Sequence, residues 1–78
     1  MSWRLPKRKS LGPGFTIKIE EGELTDTAAE WTYNTSGGVI RLQRGMTKAH
    51  QRYYYSHELI HAAIDYHLEQ AKRGATAI

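Results

Sequence analysis

The sequence predicts an α+β fold in which a small antiparallel sheet of about three strands packs on one long C-terminal helix. Three observations indicate this fold class. The chain has 78 residues, which is enough for one small domain. Apolar and polar residues alternate with a period of two in segments between residues 15 and 43, as in half-buried strands. From residue 47 the apolar spacing becomes helical, and neither Pro nor Gly occurs again before Gly74.

The composition excludes two common supports of a small domain. The chain has no cysteine, which rules out disulfides and thiolate metal sites. A chain of this length buries only about 60% of its unfolded surface. We therefore expect an imidazole- or oxygen-ligated metal, a partner chain or further chain to stabilise it. Because no apolar run approaches the ~18 residues of a membrane span, we expect a cytoplasmic protein without membrane contact.

The first fourteen residues are predicted as a basic, flexible arm. They carry four of the eleven basic residues and no acid, and they end in Gly12-Pro13-Gly14, a turn sequence. Residues 15–78, the predicted single domain, carry seven basic and eight acidic residues. Because the positive charge belongs to the arm and not to the domain, the sequence favours a solubilising tail over a nucleic-acid contact.

Three segments are predicted as strands, near residues 15–20, 29–34 and 38–43. In the first, Phe15, Ile17 and Ile19 share one face, and polar residues occupy the other. The second and third strands flank the segment Asn34-Thr-Ser-Gly-Gly38, whose residues tolerate positive φ. We therefore expect these two strands to pair as an antiparallel hairpin.

One helix of about 25 residues is predicted near residues 48–73, with Thr47 as N-cap. At about 100° per residue, it carries two apolar stripes. The stripe expected to face the sheet consists of Tyr55, Leu59, Ala62 and Tyr66. The stripe on the other side consists of Tyr53, Ile60, Ile64, Leu68 and Ala71. Because a helix on a small sheet needs only one stripe, the second predicts a homo-oligomer or another covering segment.

The helix contains an HExxH sequence, His57-Glu-Leu-Ile-His61. Residues four apart lie on one helix face, so both imidazoles can reach a single ion at about 2.0–2.1 Å. Glu58 lies about 100° round from His57, where it can take a proton from a metal-bound water. His57 and His61 are thus predicted as zinc ligands. Glu58 is predicted as the general base of a metal-assisted amide hydrolysis.

The motif, together with the preceding segment Gly38-Val-Ile-Arg-Leu-Gln43, resembles the zincin metallopeptidases. The similarity is to the small form found in gluzincin-like, SprT-like and ImmA/IrrE-type domains, and it covers residues 29–69 at most. It implies a partial N-terminal zincin subdomain that binds zinc and hydrolyses peptide bonds. It also implies that the preceding strand forms the upper rim of a cleft, with a polypeptide substrate extended along it.

The third zincin ligand has no clear counterpart in the chain. A gluzincin Glu, about twenty residues after the second His, would fall past Ile78. His67 has the metzincin spacing, but Ile64 stands where that family has Gly. On an unbroken helix, His67 therefore lies about 15 Å from His57 along the helix axis. Asp65 is better placed beside the ligands than on the ion. The candidate sources are therefore Asp65, His67, a partner chain or residues beyond Ile78.

Taken together, these features predict a zinc-dependent metallopeptidase-like domain that acts on polypeptides and is incomplete in this chain. Two other functions are compatible with the sequence. One is a non-catalytic, oligomeric interaction module with a degenerate metal site, because two ligands alone bind zinc weakly. The other is a small phage or DNA-associated protein that uses the basic arm.

Overall fold

The computed structural model describes residues 3–34 and 36–76, with side chains up to residue 72. The elements are β1 (Arg8–Gly12), β2 (Phe15–Gly22), β3 (Ala29–Asn34), β4 (Gly37–Gln43) and α1 (Lys48–Thr76). The strands form a sheet of order β1-β2-β4-β3, and α1 packs on one face of it, which confirms the α+β class. Thr35 of the predicted hairpin turn, residues 1–2 of the predicted arm and residues 77–78 of the predicted domain lie outside the described residues.

The sheet differs from the prediction in strand number and in direction. Within the described residues it has four strands, because β1 pairs antiparallel with β2. β2 and β4 pair in parallel, with Ile19 opposite Ile40. The loop of residues 23–28 carries the chain past the position of β4, so that β4 returns between β2 and β3. The expectation of a three-stranded, antiparallel sheet is therefore wrong, and the sheet is mixed.

The additional strand comes from the segment predicted as a flexible arm. Its apolar residues Trp3, Leu5 and Leu11 pack against the core from between the basic positions. The turn to β2 passes through Gly14, whose φ of 74° favours glycine. Residues 8–12 therefore lie in the sheet, with their charged side chains exposed at its edge.

β3 and β4 form the predicted antiparallel hairpin, from Ala29 opposite Leu42 to Asn34 opposite Gly37. At its turn, the Ser36 amide donates a hydrogen bond to Asn34 Oδ1 at 3.0 Å. Gly37 lies directly against β2, and a Cβ at this position would overlap the backbone of Thr16. Glycine is therefore what allows β4 to lie beside β2 here.

The core lies between the sheet and the buried face of α1. Phe15, Ile17 and Ile19 of β2 are buried, whereas Thr16 and Lys18 are exposed, as the period-two pattern predicts. The other buried apolar residues are Ala29, Ile40, Leu42, Tyr55 and Ala62. The core is thus small, and it depends on a few large side chains of β2 and β4.

Helix α1 begins at the predicted residue and ends three residues later than predicted, continuing through Gly74. Thr47 Oγ1 accepts a hydrogen bond from the His50 amide at 3.2 Å, as expected of an N-cap. The predicted sheet-facing stripe is confirmed: Tyr55 and Ala62 are buried, and Leu59 and Tyr66 are half-buried against the core. In the described part of the chain, no helix is long and apolar enough to cross a membrane.

Candidate metal centre

His57 and His61 bring their Nε2 atoms to 3.3 Å from one another on the exposed surface of α1. Two nitrogens bound to one tetrahedral zinc ion at 2.0–2.1 Å would lie about 3.3 Å apart. The two imidazoles therefore have the separation that a shared tetrahedral ion requires. This arrangement follows from the four-residue spacing on an unbroken helix.

Glu58 belongs to the same group. One ligand atom from each of Glu58, His57 and His61 lies within 4.8 Å of the others. The Glu58 side chain is only 8% exposed, on the side of α1 that turns towards the sheet. Among the described residues, its carboxylate has no hydrogen-bond or ion-pair partner. The group can therefore hold a divalent ion, with the carboxylate free either to bind it or to act beside it.

The two histidines are interleaved with the exposed apolar stripe of α1. The Tyr53 ring stacks on His57, with centroids 6.3 Å apart and planes 18° apart. The rings of His57 and His61 meet edge to face at 4.9 Å. A shallow groove on the same surface is lined by Ala49, Arg52, Tyr53, Ser56, His57 and Ile60. The metal-binding edge of His57 thus borders an apolar surface.

Asp65 lies outside the group. Its Oδ2 accepts a hydrogen bond from Trp31 Nε1 at 2.7 Å, which connects α1 to β3. This carboxylate is half-buried and already engaged by the sheet, one turn beyond His61. The structure therefore gives Asp65 a packing role, and it does not bring Asp65 to the two histidines.

His67 is also separate from the group. Its ring packs against Tyr66 at a centroid distance of 5.7 Å, and its side chain is exposed. Among the described residues, the metal-binding group contains His57, Glu58 and His61 alone. Neither Asp65 nor His67 thus joins the two histidines, and the third member of the group is Glu58.

The strand that the zincin resemblance assigned to the rim of the cleft has no free edge. β4, which contains Gly38–Gln43, is hydrogen-bonded to β2 on one side and to β3 on the other. The edge strand on this side of the sheet is β3, whose Trp31 and Tyr33 donate to Asp65 and Glu69 of α1. The expectation that Gly38–Gln43 forms the rim is therefore wrong, because β4 is interior and β3 takes the edge position.

Two side-chain contacts of α1 near the group were not predicted from the sequence. Trp31 fixes Asp65 from 34 positions away, and no local pattern indicates such a contact. Tyr53 stacks on His57 and precedes it by four residues, so its contact follows from helical spacing. Helical spacing could have predicted the contact of Tyr53 with His57, whereas the contact of Trp31 with Asp65 could be found only from the folded structure.

No protein-family model matches the chain, and no curated protein or solved structure matches it significantly. The similarity to zincins therefore remains a hypothesis from the motif. The chemistry and geometry of the metal-binding group are what support a function.

Proposed function

We propose that the chain is a zinc-dependent, zincin-type metallopeptidase domain that hydrolyses polypeptides. His57 and His61 hold the ion, and Glu58 is the general base. The observation that carries this proposal is the 3.3 Å separation of the two Nε2 atoms, with the Glu58 carboxylate, which no described residue engages, in the same group. Zinc is the chosen ion because imidazole suits it and because it adopts tetrahedral coordination without a d-electron preference.

A zinc ion bound here would polarise the scissile carbonyl and lower the pKa of coordinated water. The chain's own contribution is then proton transfer. Glu58 accepts the proton of the attacking water on a carboxylate oxygen and delivers it to the leaving amine. Its carboxylate suits this role, because no described residue engages its oxygens and they are free to accept a proton.

The sheet offers a place for the substrate. β3 is an edge strand, and an extended polypeptide can add to such an edge through backbone hydrogen bonds. β3 packs on the same helix that carries the histidines. We therefore assign the substrate backbone to β3 instead of the interior strand β4.

The test is hydrolysis of a labelled unfolded polypeptide by the zinc-loaded chain. Glu58→Gln should lower the rate by about 10²-fold or more, the usual contribution of a general base, while circular dichroism shows the fold intact. Glu23→Gln, which changes a carboxylate in the loop before β3, is the matched control and should keep full activity. Equal activity of Glu58→Gln and the unmodified chain would refute the proposal.

The exposed apolar stripe of α1 favours a second function, an oligomeric interaction module that binds zinc without hydrolysis. Tyr53, Ile60, Ile64 and Leu68 are 52–62% exposed, which is unusual for large apolar residues in a row. Under this alternative, the chain binds zinc through His57 and His61 and the substrate is not cleaved at any concentration of enzyme.

A further inference from the structure

We propose that a second copy of this chain binds over the exposed face of α1 and that the two copies share one zinc ion, held by His57 and His61 of each. This inference rests on the metal-binding part of the proposed function, and only the expected fall in activity on dimerisation also requires hydrolysis. It names the source of the ligands that the monomer lacks.

The first argument is the coordination of the ion. Structural zinc sites are closed by four ligands, and each copy offers two imidazoles at the tetrahedral separation. A two-fold axis through the ion brings an identical pair from the partner and completes the set. Both histidines are exposed, so the described residues leave their ligand atoms accessible to another copy.

The second argument is the apolar surface beside the histidines. The stripe of Tyr53, Ile60, Ile64 and Leu68 lies on the side of α1 away from the core. It borders the group through the stacked rings of Tyr53 and His57. Because a two-fold contact uses the same patch on both copies, a second copy brings an apolar stripe to cover this one.

The third argument is the size of that surface. From Tyr53 to Leu68 the stripe extends about 23 Å along a helix about 10 Å wide, a footprint of about 250 Å² per copy. A stable dimer buries about 800 Å² per partner. The stripe alone is therefore too small for a permanent dimer, and association should depend on the ion.

The shared ion also gives the dimer a regulatory consequence. Four imidazoles around one ion leave no open coordination position, whereas a catalytic zinc site keeps one for water. The dimer is therefore the closed form of the site, and the monomer is the form that can bind substrate. Activity per chain should fall as the concentration of the chain rises.

The experiment is sedimentation equilibrium of the full chain, first stripped with a chelator and then titrated with zinc chloride. The stripped chain should have the monomer mass of 8.9 kDa. Zinc should double the mass, and metal analysis of the dimer should give one zinc per two chains. His57→Ala should abolish the change, whereas Glu58→Gln should retain it, because imidazoles supply every ligand.

The stripe is tested separately from the ligands. Leu68→Glu places a charge in the stripe about two helical turns beyond His61, so it should bind one zinc per chain and stay monomeric. Gln70→Glu adds the same charge at an exposed position outside the stripe and should still dimerise. Equal behaviour of these two variants would overturn the docking surface.

The outcomes separate this inference from the proposed function. A monomer with one zinc per chain overturns the shared ion but leaves the metal centre intact. A chain that binds no zinc refutes both. A dimer without zinc overturns the metal dependence, and loss of the dimer in His67→Ala but not in His50→Ala would transfer the ligand role to His67.

Discussion

Trp31 Nε1 donates a hydrogen bond to Asp65 Oδ2 at 2.7 Å, joining the edge strand β3 to helix α1. One turn further along, Tyr33 donates to Glu69 Oε2 at the same distance. The two acids therefore hold the same strand, but Asp65 is in a part-buried bond and Glu69 is in an exposed one. We therefore expect Asp65 to contribute more to the stability of the fold than Glu69.

Replacing Asp65 with Ala should reduce the free energy of unfolding by about 1–2 kcal/mol, because it leaves the half-buried indole N–H without an acceptor. Glu69→Ala is the matched control and should cost less, since solvent replaces its exposed bond. Urea denaturation measures both. Zinc affinity should be unchanged in Asp65→Ala, and a tenfold loss of affinity would make Asp65 a ligand instead.

Zinc should stabilise the folded chain through the two histidines. A ligand that binds only the folded state stabilises it by about 2.7 kcal/mol at a concentration one hundred times the Kd. Thermal unfolding of the unmodified chain should therefore shift upward as zinc is added. His61→Ala should remove this shift, whereas His50→Ala, an exposed histidine near the start of the same helix, should keep it. A shift that survives in His61→Ala would place the ion elsewhere.

The helix and its metal-binding group could be predicted because both follow from local periodicity. The spacing of His57 and His61 determines their proximity on any unbroken helix, and the structure adds only the 3.3 Å distance. The same periodicity predicted which face of α1 is buried. These features depend on residues within four positions of each other, so local spacing in the sequence is enough to predict them.

The sheet was predicted less well because its pairing is not local. Nothing in the alternation of Phe15, Ile17 and Ile19 states whether their neighbour runs parallel or antiparallel. β1 was missed because its first three residues are polar and Leu11 is its only large apolar residue, so the strand shows no period-two alternation. The place of β3 at the edge of the sheet came from this pairing.

The outer face of the sheet predicts an acid dependence of stability. Arg41 bridges Glu20 and Glu30 on this face, at 2.7 Å and 3.1 Å. Its hydrogen bond holds the pKa of Glu20 below the ordinary 4.5, with a smaller contribution from its charge. A lowered carboxyl pKa stabilises the fold above pH 4.5, and this contribution is lost as the pH falls through the lower value of the folded state.

The unmodified chain should therefore lose its stability advantage over Glu20→Gln as the pH falls below 4.5. Arg41→Gln should remove most of the same pH dependence, although Lys18 still pairs with Glu20 at 3.8 Å. The double variant should lose less stability than the sum of the two single variants, because both single changes break the Arg41–Glu20 bond. Urea midpoints between about pH 6 and pH 3 measure this. A constant difference between the chain and Glu20→Gln across this range would contradict the assignment.

The close approach of β4 to β2 leaves no room for a side chain at Gly37. Its φ is 142°, and a Cβ there would overlap the Thr16 carbonyl, so an added methyl group must move one of two paired strands. Gly37→Ala should therefore lower the free energy of unfolding by more than about 2 kcal/mol.

Gly22→Ala is the matched control, because its Cβ would meet only Arg41 at an ordinary 3.7 Å, and it should change stability by less than about 0.5 kcal/mol. Because Ile19 and Ile40 pair further along the same two strands, the loss should also appear as faster amide exchange there. Equal stability of the two variants would mean that β4 does not pair with β2 at this position.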